Sequence, residues 1–252
     1  VFNESVGILD TLKVVERERE KLEDFKEDNH YLYGTGISSM LQGISNGAEG
    51  IDVVGASVQM SQDGSVLVGI GLTELGQGSR TVFAQIASEV LGAPLEKVTV
   101  KTVDTDAVHD SGPTVASRST TVGGKAVLTA AEAVKESLVT MAGLMFNSPG
   151  APVVLKDNFA ILEASPEARI PLDQVATAAY WTGFPLMNLT FSKAPPSNYD
   201  HDTHQGDIYV AYNYGSHLMQ IRIDRITGEV TVLKHLACHD VGKVINPKGL
   251  EG

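Results

Sequence analysis

The stretch that most constrains this chain is IDVVGASVQMSQDGSVLVGIGLTELGQGSRTVFAQIASEVLG, residues 51–92. Two β-rich runs flank Asp63-Gly64, a pair suited to a tight turn with positive φ, so 51–72 reads as a hairpin. Its second strand runs into a short polar loop, Glu74-Leu75-Gly76-Gln77-Gly78, and then into an amphipathic helix. Ser79 is a candidate N-cap, Val82, Ile86, Val90 and Leu91 form an apolar stripe, and Gly92 followed by Pro94 ends the helix. Two glycines around one glutamine let the backbone approach another group closely. The helix start offers free N–H groups beside them, the physical recipe for an anion or phosphate site. A strand-to-helix turn with no ligand has the same local signature.

A second junction of this kind lies downstream. EKVTVKTVD (96–104) predicts a strand, and Gly123–Phe146 a long alanine-rich helix. Between them, TDAVHDSGPTVASRSTTVGG crowds small and hydroxylated residues ahead of the helix, with Arg118 as the cation among the hydroxyls. Hydroxyls and backbone N–H groups take phosphate oxygens, and a guanidinium matches phosphate geometry.

Elsewhere, charge alternation with Ile8, Leu12, Val15, Leu22 and Phe25 on one face predicts a helix over 4–27, and the glycine-rich residues 30–50 read as irregular. NSPGAP (147–152) is the candidate boundary between subdomains 1–147 and 148–252. Beyond it come a hairpin at VVLKDNFAILEA, a helix at LDQVATAAYWTG, a polar loop from Met187 to Asp207, and two long strands around Thr227-Gly228. Strand hairpins alternating with helices, without regular βαβ units, predict an α+β fold.

Composition excludes some functions. A net charge of −12 over 252 residues argues against a nucleic-acid partner. No apolar run approaches the ~20 residues of a membrane helix, and no targeting signal opens the chain, so a cytoplasmic protein is expected. Cys238 is the single cysteine, which excludes internal disulfides and iron–sulfur clusters held by this chain alone. Asp200-His201-Asp202 with His204 is a crowded polar loop, read as solvated rather than metal-binding. His239-Asp240 reads as structural, as do Tyr31, Tyr33 and Trp181.

Taken together, TELGQGSRTVFAQIASEVLGAPLEKVTV, GPTVASRSTTVGGKAV and MQIRIDRITGEVTVLKHLACHDVGKVINPKGLEG resemble the molybdenum-cofactor subunit of the xanthine dehydrogenase and aldehyde oxidase family of molybdenum hydroxylases. The resemblance covers about residues 30–252, in the family's order, and corresponds to the second of its two cofactor-binding domains. It implies that Gly76, Gln77 and Gly78 touch the pterin and its phosphate, and that Thr114, Ala116, Ser117 and Ser119 wrap the pterin tail. Arg118 and Thr120 complete an ASRST spelling similar to that of bacterial members, implying the cytosine dinucleotide form of molybdopterin.

The same resemblance implies hydroxylation of an electron-poor carbon, on a purine-like N-heterocycle or an aldehyde, with water as the oxygen source and a glutamate as general base. Electrons then leave through iron–sulfur clusters and FAD on other domains or subunits. The catalytic glutamate, and a further pterin-contacting glutamine, fall beyond Gly252, and the first molybdopterin-binding domain is a partner outside these residues. The chain therefore reads as part of a longer, oligomeric enzyme, without hydroxylase activity as an isolated piece. The competing expectation is a non-catalytic relative or interaction module that keeps the fold without the cofactor.

Overall fold

The Asp63-Gly64 turn forms where the residue pair demands it. Asp63 accepts both the N–H and the hydroxyl of Ser65, at 3.0 and 2.7 Å, and Gly64 takes φ 76°. In the computed structural model, which describes residues 7–23, 25, 28–102 and 104–251, this hairpin joins β2 (Val53–Met60) to β3 (Val66–Ile70). The chain forms two compact units, residues up to Ile44 with Tyr209–Lys243, and Ser45–Ile208 with the segment from Val244.

In the smaller unit, α1 (Gly7–Arg19) covers one face of an antiparallel sheet made of β1 (Tyr31–Ile44), β9 (Ala211–Asp224) and β10 (Val230–Asp240), in the order β1-β9-β10. Thr11 of α1 meets Ser216 of β9 hydroxyl to hydroxyl at 2.9 Å, and Val15 and Leu218 are fully buried. The helix expected over 4–27 is shorter. It ends at Arg19, and beyond it the ring of Phe25, expected on the helix face, stacks on Tyr33 instead. Residues 4–6, 24, 26 and 27 of that expectation lie outside the described residues.

Residues 31–44, expected to be irregular, form a strand because β9 supplies a matched partner along its whole length, from Tyr31↔Asp224 to Ile44↔Ala211. This pairing also changes the expected division of the chain: position 147 falls inside the larger unit, since the C-terminal strands return to the N-terminal one. On β9 and β10, His217 bonds His235 at 2.9 Å through one ring nitrogen and His239 at 3.1 Å through the other. Burial first, then the neighbouring His239 and His235, hold the pKa of His217 below the usual histidine value.

The larger unit continues with α2 (Ser79–Leu91), β4 (Val98–Lys101), α3 (Gly124–Met145), β5 (Val153–Lys156), β6 (Phe159–Leu162), β7 (Arg169–Pro171), α4 (Leu172–Trp181), β8 (Met187–Lys193) and α5 (Pro247–Glu251). Its main sheet has the order β4-β3-β2-β8, and β5-β6-β7 form a second sheet. The expected hairpins at 153–162 and 211–240 and the helix at 172–181 are present. Two readings change. The first third of the expected polar loop is strand β8, paired with β2 from Met187↔Gln59 to Lys193↔Val53. One βαβ unit also exists, because the crossover through α2 makes β4 parallel to β3. The fold remains α+β.

Val54, Ala56 and Val58 of β2 and Val68 and Ile70 of β3 bury their inner face against α2 and α3. Ala126, Ala130 and Ala131 keep α3 thin there, so the helix packs close to the sheet. Both helices that follow the loops of interest are thereby fixed to one rigid core. At the far end of α2, Gly92 takes φ 63°, and a Cβ there would lie 2.4 Å from the carbonyl carbon of Leu155. We expect Gly92→Ala to destabilise the domain by about 2 kcal/mol or more, as left-handed strain adds to overpacking. The check is a lower urea midpoint with unchanged m-value.

Candidate functional site

The two loops singled out by sequence meet. The N–H of Thr73, at the head of the GQG loop, donates to the hydroxyl of Thr114 at 2.7 Å. Two residues before Thr73 and three before Thr114, the N–H of Gly71 donates to the hydroxyl of Ser111 at 3.2 Å, and that hydroxyl donates to the Gly55 carbonyl at 3.1 Å. The 111–120 segment is thus stitched to the ends of β2 and β3, beside the loop that opens α2.

Within the first loop, Gly76 and Gly78 take φ 100° and 80°, and a Cβ at either would meet nothing within 4 Å. The glycines are there for conformation, and they leave a flat, open face of backbone. Gly78 is the N-cap of α2, not Ser79. Gln77 is exposed, and its carboxamide braces the loop: the oxygen accepts the N–H of Leu75, and the nitrogen donates to the Thr73 carbonyl at 3.0 Å. One N–H of that amide remains for another partner.

Glu74 takes up part of the helix end. Its two oxygens accept the N–H groups of Gly76, Gly78 and Arg80 at 2.8, 2.9 and 3.0 Å, and the hydroxyl of Ser79 at 3.1 Å. Burial pushes its carboxyl up. The N–H bonds from Arg80, Gly78 and Gly76 and the Ser79 hydroxyl outweigh that, leaving the pKa below the ordinary glutamate value.

The second loop is held by an interaction that sequence reasoning missed. Arg118, expected as a phosphate-binding cation, is 1% exposed and pairs with Asp52 through Nε. Its two terminal nitrogens donate to the carbonyls of Ser111 and Pro113 at 2.6 and 2.8 Å and of Val53 at 2.8 Å. With its charge buried and four of its five N–H groups spent on the fold, it braces the loop. The other oxygen of Asp52 accepts the N–H of Asn46 at 2.9 Å, and the N–H of Ser45 donates to the Ala116 carbonyl at 2.8 Å.

So braced, Ala116 and Ser117 adopt left-handed φ of 52° and 53°. Such angles in consecutive non-glycine residues cost on the order of 1–3 kcal/mol each and cluster at binding sites. Ser117 and Thr120 are exposed and Ser119 is buried. Among the described residues, none of these three hydroxyls is taken up by a hydrogen bond within the fold. Ser119–Gly123 form a π-helical turn that leads into α3.

Comparison with known proteins identifies the family. Residues 9–252 match the model described as "Molybdopterin cofactor-binding domain". The chain belongs to that family. It is 35% identical over 204 residues to the nicotine 6-hydroxylase large subunit of Paenarthrobacter nicotinovorans, covering 78% of this chain and 24% of that protein. To the xanthine dehydrogenase/oxidase of Felis catus it is 32% identical over 232 residues, 92% of this chain and 16% of that protein. Its fold matches quinoline 2-oxidoreductase from Pseudomonas putida 86 with a TM-score of 0.72 at 23% identity, over 98% of this chain and 30% of that one. The chain therefore spans a quarter or less of these curated relatives. It is a molybdenum-cofactor-binding domain of the molybdenum hydroxylases, a family of molybdopterin oxidoreductases whose members are parts of larger enzymes. Among the described residues, no helix is long and apolar enough to cross a membrane.

The surroundings suit that cofactor by their donor set. Open glycine backbone leaves room for a flat ring, and three uncommitted hydroxyls lie on a braced loop next to it. Two outcomes are expected. Asp52→Asn should cost about 3–5 kcal/mol in chemical denaturation, because it leaves the Arg118 charge buried without its counter-ion. The bonds to Glu74 should hold from neutral pH down to its unfolded pKa of about 4.3 and be lost as pH falls through its lower folded value. Amide exchange at Gly78 and Arg80 against pH is the measurement.

Proposed function

We propose that this chain forms half of the cofactor cradle of an enzyme that hydroxylates a nitrogen heterocycle, with water as the oxygen source. The observation that carries the reading is the junction of the GQG and ASRST loops through Thr73 and Thr114, beside hydroxyls the fold leaves free. The substrate class is supported by the names of two similar proteins, a nicotine 6-hydroxylase and a quinoline 2-oxidoreductase. The xanthine dehydrogenase relative supports a purine-like ring equally well.

In this reading Gly76 and Gly78 leave space for the pterin plane, and the remaining N–H of Gln77 meets its edge. The hydroxyls of Ser117 and Thr120 donate to phosphate oxygens, while Thr114, Ala116 and Ser119 shape the groove around the tail. Arg118 serves at one remove, by holding Ser117 in its left-handed conformation. We assign the cytosine dinucleotide form on the ASRST spelling, with its added phosphate read by hydroxyls and backbone N–H groups instead of a guanidinium. When bound, the molybdenum cofactor supplies a water-derived oxygen and accepts the electron pair removed from the substrate carbon. The general-base glutamate, the first molybdopterin-binding domain, and the iron–sulfur and FAD modules belong to other parts of the assembly.

The test is metal and nucleotide analysis of the complete protein purified with its subunits. We expect molybdenum near stoichiometry and release of a cytosine nucleotide on acid hydrolysis. Ser117→Ala should lower the affinity for the cofactor by roughly tenfold or more, the worth of a hydrogen bond to a charged group. A complete protein without molybdenum, from cells that make the cofactor, points to the non-catalytic relative.

A further inference from the structure

The start of α2 is where helix geometry gathers unsatisfied N–H groups, and the approach of an anion is favoured there. In this chain part of that place is taken by the chain itself. Glu74 receives three backbone N–H bonds and one hydroxyl bond from residues 76–80, at 2.8–3.1 Å, and so closes the loop into a ring on its own carboxylate. Gln77 ties the ring across the other side, to Leu75 and Thr73. The guanidinium of Arg80 is engaged elsewhere, donating to the Val100 carbonyl at 3.3 Å.

The loop is therefore shaped entirely by its own residues, and no ligand is needed to order it.

We propose that Glu74 is a built-in anion that holds the GQG loop in its binding shape before the cofactor arrives. This rests on the cofactor-binding reading above, in which Glu74 is a positioning residue with no contact to the cofactor.

The experiment uses the complete protein in cofactor-free form, with Glu74→Ala and the near-isosteric Glu74→Gln. Amide exchange at Gly76, Gly78 and Arg80 should rise about tenfold in Glu74→Ala, the usual worth of a lost helix cap, with β2 and β3 unchanged. Glu74→Gln should fall between, since a carboxamide keeps one good acceptor and turns two donors against the loop.

Formate is the decisive probe. At tens of millimolar it should enter the vacated seat in Glu74→Ala and restore protection, while leaving the native protein unaffected. Molybdenum content after cofactor insertion should fall severalfold in Glu74→Ala and recover with formate. Unchanged exchange, absence of formate rescue, or equal or higher molybdenum content in Glu74→Ala would overturn the proposal. A native protein that never takes up molybdenum would instead sink the cofactor reading, and the exchange and formate results would still decide whether Glu74 shapes the loop.

Discussion

The second cofactor loop hangs on one buried ion pair. Arg118 and Asp52 are withdrawn from water, where an unpaired charge is costly. The pair is retained because each partner does a second job. The guanidinium gathers three carbonyls from two distant stretches, and the carboxylate fixes the turn at Asn46. Remove either member and the Ser111–Ser117 segment loses its reason to sit against β2. The groove is built backwards from this point: ion pair, then loop, then the strained Ala116 and Ser117, then the exposed hydroxyl.

Both loops share a logic. Asp52, Arg118 and Glu74 are turned to hold backbone, and the loops present glycine backbone, one glutamine N–H, and serine and threonine hydroxyls. Arg118, the cation of the ASRST motif, is paired with Asp52 inside the fold. Neutral donors in fixed positions cost little to desolvate, so recognition depends on how well the loops are braced beforehand. The bracing residues, Asp52, Glu74 and Arg118, are then as much part of the site as those that touch the ligand.

What the sequence disclosed follows from the range of the interactions. Turn chemistry acts over a few residues, so Asp63-Gly64, Gly92 and Thr227-Gly228 were legible, as were the helices after Gly78 and before Phe146. GQG and ASRST were legible as loops because each lies between a strand and a helix. Strands β1 and β8 were not, since each takes its conformation from a partner far along the chain, glycines dominate the local signal of β1, and two prolines follow shortly after β8. Arg118 was legible as a cation among serines, and its partner Asp52, 66 residues away, was not. Glu74 needed no distant partner, yet its four bonds become visible only once the loop is traced.

The pairing of β1 with β9 also sets an order of events during synthesis. β1 leaves the ribosome early, and all of residues 45–210 must be made before its partner emerges. At ordinary elongation rates that is a wait of roughly ten seconds or more, long beside the microseconds in which a hairpin forms. In that interval the larger unit has most of its own strands and helices in hand and can close around its core. Meanwhile β1 presents an unpaired edge with Ile37 and Leu41 exposed even in the finished fold. The polar and glycine positions along it, Gly34, Gly36, Ser38, Ser39 and Gln42, make that edge a poor template for stray strands. The feature that hid β1 from sequence reading is also what lets it wait safely.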